Sequence, residues 1–131
     1  MTPSERLDMY LDFLKAEGFR PEVVGEGIVG FKKEGLSFLI FVDQEDEQFF
    51  HLVCPNFWRL EGARERTRAY RAAGEATAQT KCVKVYPVAQ NVCASVEMFC
   101  DPPEVFKAVF GRALEALTIG LDSFREEMEG K

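Results

Sequence analysis

IVGFKKEGLSFLIFVD, Ile28 to Asp43, reads as two strands folded back on each other. Glu34-Gly35 separates the runs Ile28 to Lys33 and Leu36 to Asp43, a spacer suited to a tight hairpin turn in which the glycine tolerates positive φ. In the second run Leu36, Phe38, Ile40 and Val42 take one face, and Leu39 and Phe41 take the other. A strand apolar on both sides belongs in the interior of a sheet. After the acidic turn Gln44 to Glu47 comes a third run, Gln48 to Cys54, in which Phe49, His51 and Val53 alternate with Phe50, Leu52 and Cys54. Three antiparallel strands are therefore expected at the centre of the fold.

Upstream, Thr2 and Glu5 form a capping box with Pro3 at the first helical position, and Leu7, Tyr10, Leu11 and Leu14 recur at helical spacing. Gly18 supplies a left-handed stop. Pro21 to Gly27 reads as an extended connector, with Val23 and Val24 able to lengthen the first strand. Downstream, Leu60 to Ala78 turns helical, with an inward stripe of Ala63, Thr67, Tyr70, Gly74 and Thr77 that is small and polar for a core. Such a helix packs closely or pairs with another chain. Lys81 to Tyr86 and Val92 to Phe99 form a second hairpin across Pro87 to Asn91. Val83, Val85, Val92, Ala94, Val96 and Met98 share one face, while Cys82, Lys84, Tyr86, Cys93, Ser95, Glu97 and Phe99 point the other way. Asp101 is positioned to cap a last helix with Pro102 at its first position. The stripe Phe106, Val109, Phe110, Ala113, Leu114, Leu117, Leu121 and Phe124 can cover a sheet face.

At 131 residues, 47% hydrophobic and 29% charged, with no linker, repeat or low-complexity tract, residues 1–131 fit one soluble α+β domain. The N-terminus has no secretion-signal pattern and no segment has the length of a membrane span, so a cytoplasmic protein is expected. A net charge of -6 argues against a nucleic-acid partner, which needs cations to neutralise phosphates. The middle of the chain is locally basic, and Arg64, Arg68 and Arg71 fall on one helical face.

Chemistry-bearing motifs are few. His51 is the only histidine, which removes histidine pairs and most zinc or triad arrangements, and its place in a strand fits a half-exposed sheet residue. Cys54, Cys82, Cys93 and Cys100 lack any CxxC spacing and read as buried small hydrophobes; a four-thiolate site would need the two sheet regions to converge. Cys82 and Cys93 share a strand face, which leaves open a redox-sensitive pair. Gly25, Gly27 and Gly30 spell G-x-G-x-x-G but precede a strand, whereas a dinucleotide motif follows a strand and opens a helix. Asp43 to Glu47 lacks the length and spacing of a calcium loop. Cys54 to Arg59 leaves a strand for a helix and sets Phe57 and Trp58 at a corner, as core or as anchors for a partner.

The order helix, three strands, helix, two strands, helix resembles the YbjN family, small bacterial domains with a type III secretion chaperone-like fold. The resemblance spans nearly the whole chain. It rests on the Glu34-Gly35 hairpin, on Val53-Cys54-Pro55-Asn56-Phe57-Trp58, and on Thr80 to Tyr86 followed by Val92 to Phe99. It implies a regulator of sensory transduction or a chaperone-like binding module, and secretion chaperones of similar fold form homodimers that bind extended client segments. The expectation is a non-enzymatic, homodimeric protein- or peptide-binding module without cofactor or metal. Phe57, Trp58, Arg64, Arg68 and Arg71 are its candidate partner-binding residues. The alternative is a small-molecule or thiol-redox sensor using the sheet face near Cys82 and Cys93. Lys32 and Lys33 are candidate guards of a sheet edge.

Overall fold

The computed structural model describes residues 1–130. Helix α1 (Pro3–Ala16) starts at the capping box, with Glu5 N–H donating to Thr2 Oγ1 at 3.1 Å and Thr2 N–H donating to Glu5 Oε1 at 2.8 Å. There follow β1 (Glu22–Gly25), β2 (Ile28–Lys33), β3 (Leu36–Val42), β4 (Phe49–Arg59), α2 (Ala63–Gln79), β5 (Val83–Val88), β6 (Asn91–Phe99), a 3-10 turn at Pro103–Val105, and α3 (Phe106–Met128). The fold is α+β, with six antiparallel strands in the order β1-β2-β3-β4-β6-β5. Glu34 and Gly35 at φ 52° and 82° close the β2–β3 hairpin, both residues taking the positive φ that a two-residue hairpin turn favours. No described helix is long and apolar enough to cross a membrane.

One face of the sheet is the core. Val29, Phe31, Phe38, Ile40, Phe50, Leu52, Val83, Val85, Ala94 and Val96 are buried there under α1 and α3. Aromatic edges knit the layers: Phe106 meets Tyr10 at 4.8 Å and Phe13 at 4.9 Å, and Phe31 stacks on Phe38 at 5.4 Å. Such pairs contribute about 0.5–1.5 kcal/mol each beyond their buried area. Arg6, 1% exposed, reaches from α1 to donate to the carbonyl of Asp43 and so ties the helix to the end of β3. Burial beside it pushes the Tyr10 hydroxyl pKa up to about 12.

Four expectations are corrected. Glu22 to Gly25 is a strand of its own, paired with β2 through Glu22↔Gly30, Val23↔Val29 and Gly25↔Ile28, so the connector adds an edge to the sheet. The third central strand does not end at Cys54. Pro55, Asn56 and Phe57 stand opposite the single residue Cys93, and β4 resumes pairing at Trp58↔Val92. This bulge, with Asn56 at φ 51°, accommodates a proline that has no ladder N–H to give. The buried stripe of the middle helix is Ala69, Ala72, Ala73 and Ala76, one residue and so about 100° away from the expected one; Tyr70 is 59% exposed. The last helical stretch opens at Pro103, not at a cap on Asp101. A residue before proline is kept out of the helical region, and Pro102 stays extended at ψ 168°.

The two sheet margins differ. At β5, Thr77 of α2 reaches the backbone: Val85 N–H donates to Thr77 Oγ1 at 2.9 Å, and that hydroxyl faces Val85 O at 3.4 Å. A helix thus covers this edge. At the other margin β1 is short and exposed, with Val23 and Val24 more than half accessible.

Helix α3 lies on the sheet at backbone distance where Gly120 faces Val83; a Cβ there would stand 2.7 Å from Val83 Cγ1. Gly120→Ala should therefore lower unfolding free energy by about 1–3 kcal/mol despite alanine's helix propensity. Gly111 has open space around it in the same helix. Gly111→Ala should raise stability by about 0.5–1 kcal/mol in the same urea titration. Equal effects of the two substitutions would refute the close approach.

Candidate functional site

The residues expected to bind a partner are dispersed. Phe57 and Trp58 both turn onto α3 because the β4 bulge shifts them, meeting Phe124 edge-on at 5.4 Å and 5.5 Å. The Arg125 guanidinium lies 5.7 Å over the Phe57 ring. They are packing residues, not a corner. Arg64, Arg68 and Arg71 share a face of α2 as the helical spacing requires, and all three are exposed. Arg68, however, donates to the Met128 carbonyl at the end of α3. Among the described residues the trio is not a uniform patch, since its middle member is a helix cap.

The cysteines separate as well. Cys54, Cys93 and Cys100 are buried, while Cys82 is exposed and left-handed at φ 64°. Tyr86, not Cys82, is the partner of Cys93. Cys82 lies four residues from Tyr86, roughly 13 Å along the strand, where a disulfide needs Cα atoms within about 7 Å. The proposed redox pair is thereby corrected. Cys93 instead exchanges contacts with the bulge, accepting from Asn56 N–H at 3.4 Å and approaching Asn56 Oδ1 at 3.6 Å. Burial pushes the Cys54 thiol pKa up to about 11 and that of Cys100 upward, which disfavours the reactive thiolate.

What the topology does bring together is an open edge beside an apolar groove. Strand β1 pairs with only Ile28 to Gly30, then the chain departs through Pro21, Arg20 and Phe19. Residues 31–33 of β2 run on beyond it. Lys33↔Leu36 closes a two-residue turn, so the alternation of an antiparallel ladder aims the N–H and C=O of Lys32 outward, away from β3. The groove here has a volume of about 650 Å³ and is lined by Phe19, Phe31, Phe38, Leu39 and Val24 with Arg20, Glu22 and Lys32 at its rim. Lys32, expected as an edge guard, presents a cation at the edge but does not close it. Sequence reading marked Lys32 at a sheet edge but missed the groove beside it, because it took β1 for a connector.

The second feature is the sheet face away from the helices. Leu39, Phe41, Phe49, Val53, Cys93 and Phe99 lie on it and stand outside the helix-covered core. Phe41 and Phe49 flank the His51 ring at 5.2 Å and 5.3 Å, and Phe99 meets Phe49 at 6.0 Å. Register supplies a polar centre: His51 faces Glu97 and Lys84 faces Ser95. Glu97 accepts from Lys84 Nζ at 2.9 Å and from Ser95 Oγ at 2.7 Å, and its other contact is His51 Nε2 at 3.7 Å. Burial opposes the Glu97 charge, but the hydrogen bonds from Lys84 and Ser95 with the nearby His51 and Lys84 charges outweigh it and hold its pKa below the ordinary value. The hydrogen bond to Glu97 and its charge raise Lys84. The face was legible in the strand parity; the Glu97 hub was not.

Among the described residues, no three His, Cys, Asp or Glu side chains gather in metal-binding geometry. Compared with known proteins, the chain matches no family model, no curated protein and no solved structure.

Burial lowers the His51 pKa, with Lys84 of β5 adding to that and Glu97 of β6 and Asp43 at the end of β3 opposing it. The unfolded chain then binds the proton more readily than the folded one, so His51's contribution is intact above pH 6.5 and is lost as pH falls through its lower folded value. Glu97 acts in the same direction in a lower window, below 4.5. Urea midpoints should therefore decline as pH drops below 6.5, and His51→Gln should flatten that first decline while keeping the second. An unchanged profile in the variant would remove His51 from the account.

Proposed function

We propose that this chain is a non-enzymatic protein- or peptide-binding module of YbjN-like, secretion chaperone-like fold, homodimeric and working in the bacterial cytoplasm as a chaperone or regulator. The observation that carries the reading is the overhang of β2 past β1. It leaves outward main-chain groups at Lys32 beside an apolar groove. An extended segment laid there gains backbone hydrogen bonds from the edge and buries alternate side chains in the groove, which is how strand addition divides affinity from specificity. The opposite edge is occupied by Thr77, so addition is one-sided. Arg20 and Lys32 at the rim favour a segment that alternates apolar with acidic residues.

A binding role also suits the polar groups that are present. Lys84 and Ser95 are both engaged by Glu97, and burial favours the protonated thiol at Cys54 and Cys100. Three helices around one sheet are in keeping with the comparison, although four strands rather than three precede the middle helix. The helix between β4 and β5 covers one edge of the sheet, while the β1 and β2 margin stays open.

An array of extended peptides tests the proposal. Peptides alternating apolar and acidic residues should bind best, and Arg20→Glu with Lys32→Glu should weaken them by at least about tenfold, a charge-paired contact being commonly worth that much. Lys32→Pro removes the outward N–H and should act in the same direction. Arg64→Glu with Arg71→Glu should leave binding as it was. Edge variants that bind as well as the parent, or a loss caused only by the α2 variants, would move the site away from the sheet edge.

A further inference from the structure

Six strands present two faces, and α1 and α3 bury only one of them. On the other, Phe99 is 74% exposed, with Val24 and Val88 about half exposed at opposite margins. Leu39, Phe41 and Phe49 lie between these, partly shielded by neighbours on the same face. This is a contiguous surface. We infer that a second copy of this chain docks on that face, sheet against sheet about a two-fold axis. The inference rests on the homodimeric part of the reading above and gives that dimer its interface.

Charge identifies the occupant. The chain carries a net charge of -6, so two copies repel over most approaches. On this face the signs balance. Lys84 is bonded to Glu97 at the centre, and Lys32 and Glu22 lie on the same face at the β1 margin. Arg59 lies at the far end and Asp43 at the rim, so the face carries three cations, Lys32, Arg59 and Lys84, and three carboxylates, Glu22, Asp43 and Glu97. A surface bearing both signs in equal number is complementary to itself, whereas a strongly cationic partner would find no excess negative charge here.

Area agrees with a pair of copies. Strands spaced about 4.8 Å apart and rising about 3.3 Å per residue give the patch from β2 to β5 a footprint on the order of 500 Å². Two copies together bury on the order of 1,000 Å², the floor for a specific association. Sheets pack face to face at about 10 Å, a gap that Phe41, Phe49 and Phe99 are large enough to fill. The middle helix is the weaker alternative. Its alanines already pack inward, and among the large apolar side chains it exposes only Tyr70.

Sedimentation equilibrium of the full chain tests this. The parent should be a dimer, and Phe99→Arg, which replaces the most exposed aromatic of the face with a charge, should raise its dissociation constant at least about tenfold. Ser37→Arg adds a cation at an exposed position on the same face and should act alike without touching the core. Tyr70→Arg on α2 and Ile119→Arg on α3 should remain dimers. A dimer that resists Phe99→Arg and Ser37→Arg, or yields only to Tyr70→Arg, overturns the interface and leaves homodimerisation standing. A monomeric parent overturns both, while peptide binding at the β2 edge is judged by its own variants.

Discussion

Contact between α3 and the sheet at Gly120 over Val83 sets the geometry on which the remainder depends. Only a glycine lets the helix axis come that close. The approach lets one long helix bury side chains from β4, β6 and β5 together, while α1 covers β2 and β3 beside it. Phe106 and Phe110 at the start of α3 join the two helices by edge contacts to Phe13. The consequence is a strictly one-sided cover. Helix is spent on one face, and α2 is drawn to the β5 edge by its alanines and Thr77, so none is left for the other face.

Much of this was legible in sequence because the signals were strong and local. The capping box at Thr2 and Glu5, the Glu34-Gly35 turn and the parity of β6 each depend on neighbours within a few residues, and each was found where expected. The rotation of α2 had no such signal. Ala69, Ala72, Ala73 and Ala76 bury little area each, so a stripe of alanines gives a weaker signal than one tyrosine on the wrong face. Tertiary packing settled the rotation of α2.

The candidate site was less legible than the fold. The Pro55 to Phe57 bulge turns two aromatics toward Phe124, and nothing in the local sequence distinguishes that from a corner. Strand β1 has four residues and two glycines within reach, too short to announce itself by alternation. Edge status is a property of the sheet order, and the order follows from long-range pairing. Likewise the link from Lys84 to Glu97 crosses a register that only the folded hairpin fixes.

A polar centre in an otherwise apolar face has a physical role under either kind of partner. An apolar sheet face alone would accept many coverings, because burial is non-directional. Glu97, Ser95 and Lys84 form a satisfied group, so a cover that matches them loses little, whereas one that strips Lys84 from Glu97 strands a carboxylate. Specificity then comes from what the centre rejects. The same face meets the edge groove through Leu39 and Val24, which line both. An extended segment seated along β2 and a second copy seated on the face would therefore share side chains. By linkage, whatever free energy one binding event takes from or gives to those side chains is felt equally by the other. The short, bulged β1 is the element through which such coupling would act, since it lies between the groove and the face and is held by only three residue pairings.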